Sequence, residues 1–264
     1  MVEFFWIVLI TLFAAVLGSF LNVCIYRIPR GQSIVTPRSH CPDCGRFLKF
    51  YHNIPIVSYL ALKGRCAFCR RPISWRYPFV ELLTVGLALL TYERFGLTPS
   101  FFLYFFLLVS PLIVISFIDL EHRIIPDIIS LPGIPIGVGV SLFLAQGTYL
   151  GALKESLLGL SIGGGFLFLV GYFYEKLRGQ EGLGGGDVKL AAVLGAFLGW
   201  QNILFILPVG ALLGFVAALI LILFYRKGMK YQIPYGPFLS FAGLLQLYYG
   251  RELIDWYLHS LRIG

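Results

Sequence analysis

Charge is scarce in this 264-residue sequence. Only 13% of residues are charged, against 58% hydrophobic, where a soluble globular domain carries about 25% charged and about 45–50% apolar residues. That shortage excludes a disordered chain and argues against an ordinary soluble enzyme. Histidine is also sparse, with four dispersed residues (His40, His52, His122, His259). No His/Ser/Asp pattern and no H-E-x-x-H string is present, so serine- and zinc-peptidase chemistries lack support. Cysteines number five, too few for a disulfide-stapled secreted miniprotein, and the composition is not that of a collagen. No Rossmann signature or P-loop Lys-Ser/Thr appears either.

What is present is apolar sequence in long runs. One helical span takes about 20 residues. Eight candidate segments are found, near 4–25, 78–95, 100–118, 128–146, 151–175, 187–200, 202–225 and 235–258. The predicted fold class is an all-α polytopic membrane protein with about eight transmembrane helices and one small zinc-stapled cytoplasmic loop domain. The sixth segment is short and opens on polar residues, as expected of a part-span lining a cavity. Residues 1–25 lack a basic stretch before the apolar run and a clear cleavage site, so they read as a retained span rather than a signal peptide. The i,i+4 glycine pairs Gly159/Gly163, Gly195/Gly199 and Gly210/Gly214 predict close helix packing.

The net charge of +8 is unevenly placed. Residues 26–77 hold ten Lys/Arg and one acid, Asp43, so this segment carries +9 and the rest of the chain −1. In a membrane protein such a segment faces the cytoplasm and anionic lipid rather than nucleic acid. If it does, alternate loops put 17 of the 21 cations on that side, leaving Arg94, Lys154, Arg251 and Arg262 opposite. The expected topology has the N-terminus outside.

Four cysteines lie in this basic segment, as Cys41-Pro42-Asp43-Cys44 and Cys66-Ala67-Phe68-Cys69. Two C-x2-C knuckles can complete a tetrahedral four-sulfur site for Zn2+, structural because no position is left open for water. Two disulfides or four free thiols are the other readings, the former disfavoured in a cytoplasmic loop. Arg65, Arg70 and Arg71 would offset the thiolate charge. His40 abuts the first knuckle, and Cys24 reads as packing.

Two aspartates stand out, because charge inside or at the end of a span is expensive and tends to mark function. Asp119 ends an apolar run in Ser116-Phe117-Ile118-Asp119, followed by Pro126-Asp127, where Asp127 is placed to cap the next helix. Asp187 opens the sixth segment in Gly182-Leu183-Gly184-Gly185-Gly186-Asp187. Both arrive at the same predicted membrane face. Two carboxyls brought together share a proton, and the pair then supplies a base that activates water and an acid for the carbonyl oxygen or leaving amine. The alternative is two solvated helix-end residues.

Taken in order, Gly18-Ser19-Phe20-Leu21-Asn22-Val23, the two knuckles, Asn53 to Leu60 between them, Arg76-Tyr77-Pro78-Phe79-Val80-Glu81-Leu82-Leu83, Asp119 with Pro126-Asp127, Gly184-Gly185-Gly186-Asp187-Val188-Lys189-Leu190 and Pro234-Tyr235-Gly236-Pro237 resemble the type IV prepilin peptidase family, over nearly the whole chain. The resemblance implies a G-x-G-D-type intramembrane aspartic peptidase of the bacterial inner membrane. It implies cleavage of prepilins and pseudopilins after the glycine that ends a basic leader, at the cytoplasmic face. Methylation of the new N-terminal residue from S-adenosylmethionine follows. It puts the catalytic pair on Asp119 and Asp187, the active-site loop on Gly184 and Gly186, the metal ligands on Cys41, Cys44, Cys66 and Cys69, and a methyl-transfer glycine on Gly64. The expected division is a first helix (1–25), a cysteine loop associated with methyl transfer (26–77) and a seven-helix peptidase domain (78–264). Because the loop would repel a basic leader, Glu81, Glu121 and Asp127 are expected to meet it. A peptidase without methylation, or a transporter with a zinc-stapled regulatory loop, are the competing readings.

Overall fold

A computed structural model describes residues 2–179, 184–225 and 233–262, and of 225, 251 and 254–262 the backbone alone. Gly182, Leu183, Arg226, Lys227 and Lys230, which enter the loop and charge readings, lie outside the described residues, as do the side chains of Arg251, His259 and Arg262. The described chain is helical. The helices are α1 (Val2–Arg27), α2 (Val57–Ala61), α3 (Arg76–Phe95), α4 (Pro99–Tyr104), α5 (Ser110–His122), α6 (Asp127–Phe143), α7 (Tyr149–Arg178), α8 (Gly185–Leu198), α9 (Trp200–Tyr225) and α10 (Gly236–Arg262). One π turn, Phe105–Val109, joins α4 to α5. All eight predicted segments are therefore helical.

Four helical stretches among the described residues are long and apolar enough to cross a membrane: Val2–Arg30, Pro99–His122, Tyr149–Arg178 and Trp200–Phe224. Their large apolar side chains are widely exposed, among them Phe5, Leu12, Val16, Phe166, Phe168, Phe215 and Phe224, as a lipid-facing surface requires. α6 and α8, at 17 and 14 residues, rise only about 26 and 21 Å, short of the roughly 30 Å hydrocarbon core.

The chain forms two compact units, Met1–Val114 and Ile115–Gly264. In the first, α1 packs along α3. Gly18 makes this possible, because a Cβ there would stand 2.8 Å from the Glu81 backbone. Buried polar groups tie the pair at one end. Asn22 donates to the Tyr77 carbonyl (3.0 Å). Arg27, buried at the end of α1, donates to the carbonyls of Ser33 (2.9 Å) and Pro37 (2.7 Å) and so folds the start of the cysteine loop.

The second unit is built around α8. Eight consecutive residues, Leu190 to Phe197, are buried; a helix apolar on all sides belongs in a core. It packs on α6, α7, α9 and α10. Gly159 of α7 and Gly195 of α8 meet backbone to backbone, Gly163 stands against the Ala191 carbonyl, and the buried Ser156 hydroxyl donates to the Ala196 carbonyl at 2.7 Å. Small residues and a polar bond are what hold helices together in lipid. The expected glycine packing is thus realised. Gly199, however, lies at the C-terminal cap of α8 with φ +83 rather than inside a helix.

Candidate functional site

The two aspartates come together within the second unit. Asp119 lies in the last turn of α5, after the buried Ile113, Val114, Ile115 and Ile118, and is itself only 5% exposed. Asp187 lies in the first turn of α8, close enough to feel the Asp119 charge. Each carboxyl faces backbone N–H groups at a helix N-terminus. The Gly236 N–H, at the start of α10, donates to Asp119 Oδ2 at 3.0 Å, and the Gly184 N–H faces the Asp187 carboxyl. Helix N-termini favour negative groups, by orphan N–H donors and by dipole. Three helix ends therefore converge on one pair of carboxyls.

The glycines of the string have separate reasons. A Cβ at Gly186 would stand 2.8 Å from the Cβ of Ile125, and one at Gly184 3.2 Å from Asp187 Oδ2. Ile125 is the floor of the site, since a Cβ at Gly236 would meet both its Cδ1 (3.2 Å) and Asp119 Oδ2 (2.7 Å). The chain reaches it by stopping α5 sharply. Arg123 adopts φ +56, its N–H donates to the Asp119 carbonyl (2.8 Å), and Pro126 then caps α6. The expected cap, Asp127, is instead the first helical residue. Its carboxylate pairs with Lys189 Nζ at 2.6 Å, tying the start of α6 to α8.

Tyr235 and Gly236 were legible only as members of an ordered motif. The local signal is Pro234-Tyr235-Gly236-Pro237, a proline-flanked glycine where a helix begins. Tyr235 lies near enough to feel the Asp187 charge, and its hydroxyl donates to the Leu207 carbonyl at 3.3 Å.

In the first unit the two knuckles are superposable in design. Cys41 and Cys66 each donate an N–H to the carbonyl five residues on, at Arg46 (3.0 Å) and Arg71 (2.8 Å). Each accepts from the residue four on, Gly45 (2.9 Å) and Arg70 (3.1 Å). That fourth position needs a left-handed backbone, φ +69 at Gly45 and +61 at Arg70. Glycine adopts it freely; Arg70 does so at a cost of about 1 kcal/mol. All four sulfurs lie within 4.8 Å of one another, with Cys41 Sγ 3.9 Å from Cys69 Sγ. A disulfide needs about 2.05 Å, whereas a tetrahedron of Zn–S bonds of about 2.3 Å has sulfurs about 3.8 Å apart. The donor set and spacing fit a tetrahedral metal ion. Burial pushes the Cys41 thiol up to about 11. Backbone N–H groups of Cys69 and Phe68 draw the Cys66 thiol down to about 7.

Around the cluster, Arg71 pairs with Asp43 at 2.8 Å. His40 stacks edge-on with Phe47 and lies outside the sulfur group. Gly64, two residues before Cys66, has φ +66, and a Cβ there would stand 3.0 Å from the Tyr59 hydroxyl. Glu81 does not face outward as expected. It is 7% exposed and accepts from the Ile56 N–H at 2.7 Å, holding a residue whose own φ is +62.

Residues 12–95 match the bacterial peptidase A24 N-terminal domain, and residues 106–223 match the type IV leader peptidase family. Among curated relatives, a prepilin leader peptidase/N-methyltransferase of Aeromonas salmonicida is 36% identical over 279 residues, covering 96% of this chain and 94% of the relative. One of Legionella pneumophila is 35% identical, covering 96% and 95%. One of Myxococcus xanthus is 42% identical over 210 residues, covering 78% of this chain and 60% of that protein. No solved structure matches the chain. The chain belongs to the type IV leader peptidase family.

Proposed function

We propose that this protein removes the leader peptide of prepilins and pseudopilins and then methylates the newly exposed N-terminal residue. The single observation that carries the peptidase reading is the convergence of Asp119 and Asp187 at three helix ends, with the Gly236 N–H bonded to Asp119 Oδ2 at 3.0 Å. One carboxylate takes a proton from water as the oxygen attacks the scissile carbonyl. The other, protonated, gives its proton to the carbonyl oxygen. Collapse of the tetrahedral species breaks the C–N bond, and the amine leaves with a proton from the pair. No covalent enzyme intermediate forms. Gly184 keeps the approach to Asp187 clear, and Gly186 lets the start of α8 close on Ile125.

Cys41, Cys44, Cys66 and Cys69 would hold Zn2+, which ties together two knuckles too polar to build a core. S-adenosylmethionine supplies the methyl group as an electrophile to the new amine. The cradle at Gly64, which a Cβ would fill against Tyr59, is assigned to that half of the activity. In this reading the chain divides into 1–25, 26–77 and 78–264. About eight helices enter the inner membrane, in contact with its lipids, with the N-terminus outside and the aspartates at the cytoplasmic face. The excess of cations in the cysteine loop supports that orientation.

The experiment is a mass measurement of a prepilin incubated with the purified protein and S-adenosylmethionine. Loss of the leader mass with gain of one methyl group is expected. Leader loss without the methyl would contradict the methyltransferase half, and an uncut substrate with folded protein would contradict the whole.

A further inference from the structure

The resemblance to the family puts methyl transfer at Gly64, and the surroundings of Gly64 show what a side chain there would displace. The three atoms nearest to a Cβ at this position all belong to Tyr59, the closest being its hydroxyl at 3.0 Å and its Cζ at 3.1 Å. The space beside Gly64 is therefore filled by Tyr59. The backbone joins the two residues again. The Gly64 N–H donates to the Tyr59 carbonyl (2.9 Å), and the Ile73 N–H donates to the Gly64 carbonyl (2.7 Å). The Tyr59 hydroxyl donates to the Ile73 carbonyl (3.4 Å). Tyr59 sits on α2, which is five residues long and too short to hold its own shape. Its entry is fixed from outside. Ile56, the residue before α2, has φ +62, a conformation that a β-branched side chain avoids. The Ile56 N–H donates to the buried Glu81 carboxyl of α3 at 2.7 Å, and the Ser19 hydroxyl of α1 donates to the same carboxyl. Water could satisfy one loop N–H without a buried charge. Backbone strain held in place by its surroundings is found where a site needs one fixed geometry.

We infer that Tyr59 and Glu81 are positioning residues for methyl transfer, and that Gly64 acts through Tyr59. Glu81 sets the backbone at Ile56, Ile56 sets the start of α2, and α2 holds Tyr59 against Gly64. The inference rests on the methyl-transfer reading above. A methyl group at Gly64 would stand 3.0 and 3.1 Å from the Tyr59 hydroxyl and Cζ, where relaxed contacts are about 3.3–3.5 Å. Tyr59 must then retreat by about 0.3–0.4 Å. Since misplacement by about 1 Å costs about 100-fold, this shift predicts a loss of about fivefold in kcat for methylation. Asp119 and Asp187 belong to the second unit and draw their named partners from it, so leader removal is expected to proceed unchanged.

The test is a double-mutant cycle in the full-length protein in detergent. Methylation of a pre-cleaved pilin and cleavage of an intact prepilin are measured on each variant. Gly64→Ala is expected to lower kcat for methylation about fivefold in the wild-type background, and by less than about twofold once Tyr59→Ala is present. Cleavage kcat is expected to stay within about twofold throughout. Glu81→Ala should lower methylation as Tyr59→Ala does, and Glu81→Gln, which still accepts from the Ile56 N–H, should restore it. Amide exchange between Ile56 and Gly64, read by mass spectrometry without S-adenosylmethionine, should quicken in Glu81→Ala and not in Glu81→Gln. Should Tyr59→Ala not fold, Tyr59→Phe takes its place in the cycle, because it removes the atom nearest to the new methyl group, and Gly64→Ala must then cost less than it does in the wild type. Losses that multiply in the double variant, or exchange indifferent to Glu81, would overturn the inference and leave methyl transfer standing. A wild type that cleaves without methylating would overturn the methyl-transfer reading and this inference with it.

Discussion

Gly236→Ala probes the contact on which the site is built. A methyl group at this position would stand 2.7 Å from Asp119 Oδ2, 3.3 Å from Asp119 Cγ and 3.2 Å from Ile125 Cδ1. A relaxed C···O approach is about 3.3 Å, so the carboxyl must retreat by about 0.6 Å, and the 3.0 Å bond from the Gly236 N–H lengthens with it. Misplacement of a reacting group by about 1 Å costs about 100-fold in rate. The shift here predicts a 10- to 50-fold loss of kcat for leader removal. The fold should survive, because Ala is a better helix former than Gly by about 0.5–1 kcal/mol and the displaced atoms end a side chain rather than a backbone. The assay is steady-state cleavage of a prepilin in detergent, with methylation of an already cleaved substrate as internal control. Cleavage within twofold of the wild type would refute the reasoning, as would parallel loss of both activities.

Other outcomes follow from the same geometry. Gly195→Ala is expected to prevent assembly of the second unit, since the Gly195 and Gly159 backbones touch and neither helix can yield; thermal unfolding or proteolysis of the membrane-inserted protein reads it. Glu81→Ala leaves the Ile56 N–H without its acceptor and should cost about 1–3 kcal/mol, while Glu81→Gln, which retains an acceptor, should recover most of it in the same unfolding assay. Chelation should release one equivalent of Zn2+ and expose the chain between Cys41 and Pro72 to protease while far-ultraviolet helicity persists. Metal binding displaces thiol protons, so affinity must fall with falling pH, and the dependence should steepen below about 7, where Cys66 is also protonated in the metal-free protein. A flat pH profile would contradict a thiolate site.

The apolar segments were legible because span length and hydropathy are local properties. Each of the eight segments is helical, although among the described residues only four stretches are long and apolar enough to cross a membrane. The knuckles were equally plain, since a C-x2-C pair encodes its own turn. Asp119 and Asp187 could be singled out as charges where charge is costly, 68 positions apart. Their meeting was not readable from that spacing. It depends on the left-handed Arg123 that stops α5, on Ile125 lying under Gly186, and on an α10 N-terminus 117 positions from Asp119. Likewise nothing local marks Glu81 as a latch for Ile56, because burial of a carboxylate against a distant strained N–H is a tertiary event. Arg70 in a left-handed turn runs against residue preference and is forced by the second knuckle.

The most direct test of the central claim is to prepare Asp119→Asn and Asp187→Asn and measure each for cleavage of an intact prepilin and for methylation of a pre-cleaved one. Asn keeps shape but cannot exchange the proton that hydrolysis needs. Both variants should lose leader removal by 10^3-fold or more, on the order expected for removing an essential acid–base group, and both should still methylate. Appreciable cleavage by either variant would contradict the paired-carboxyl account.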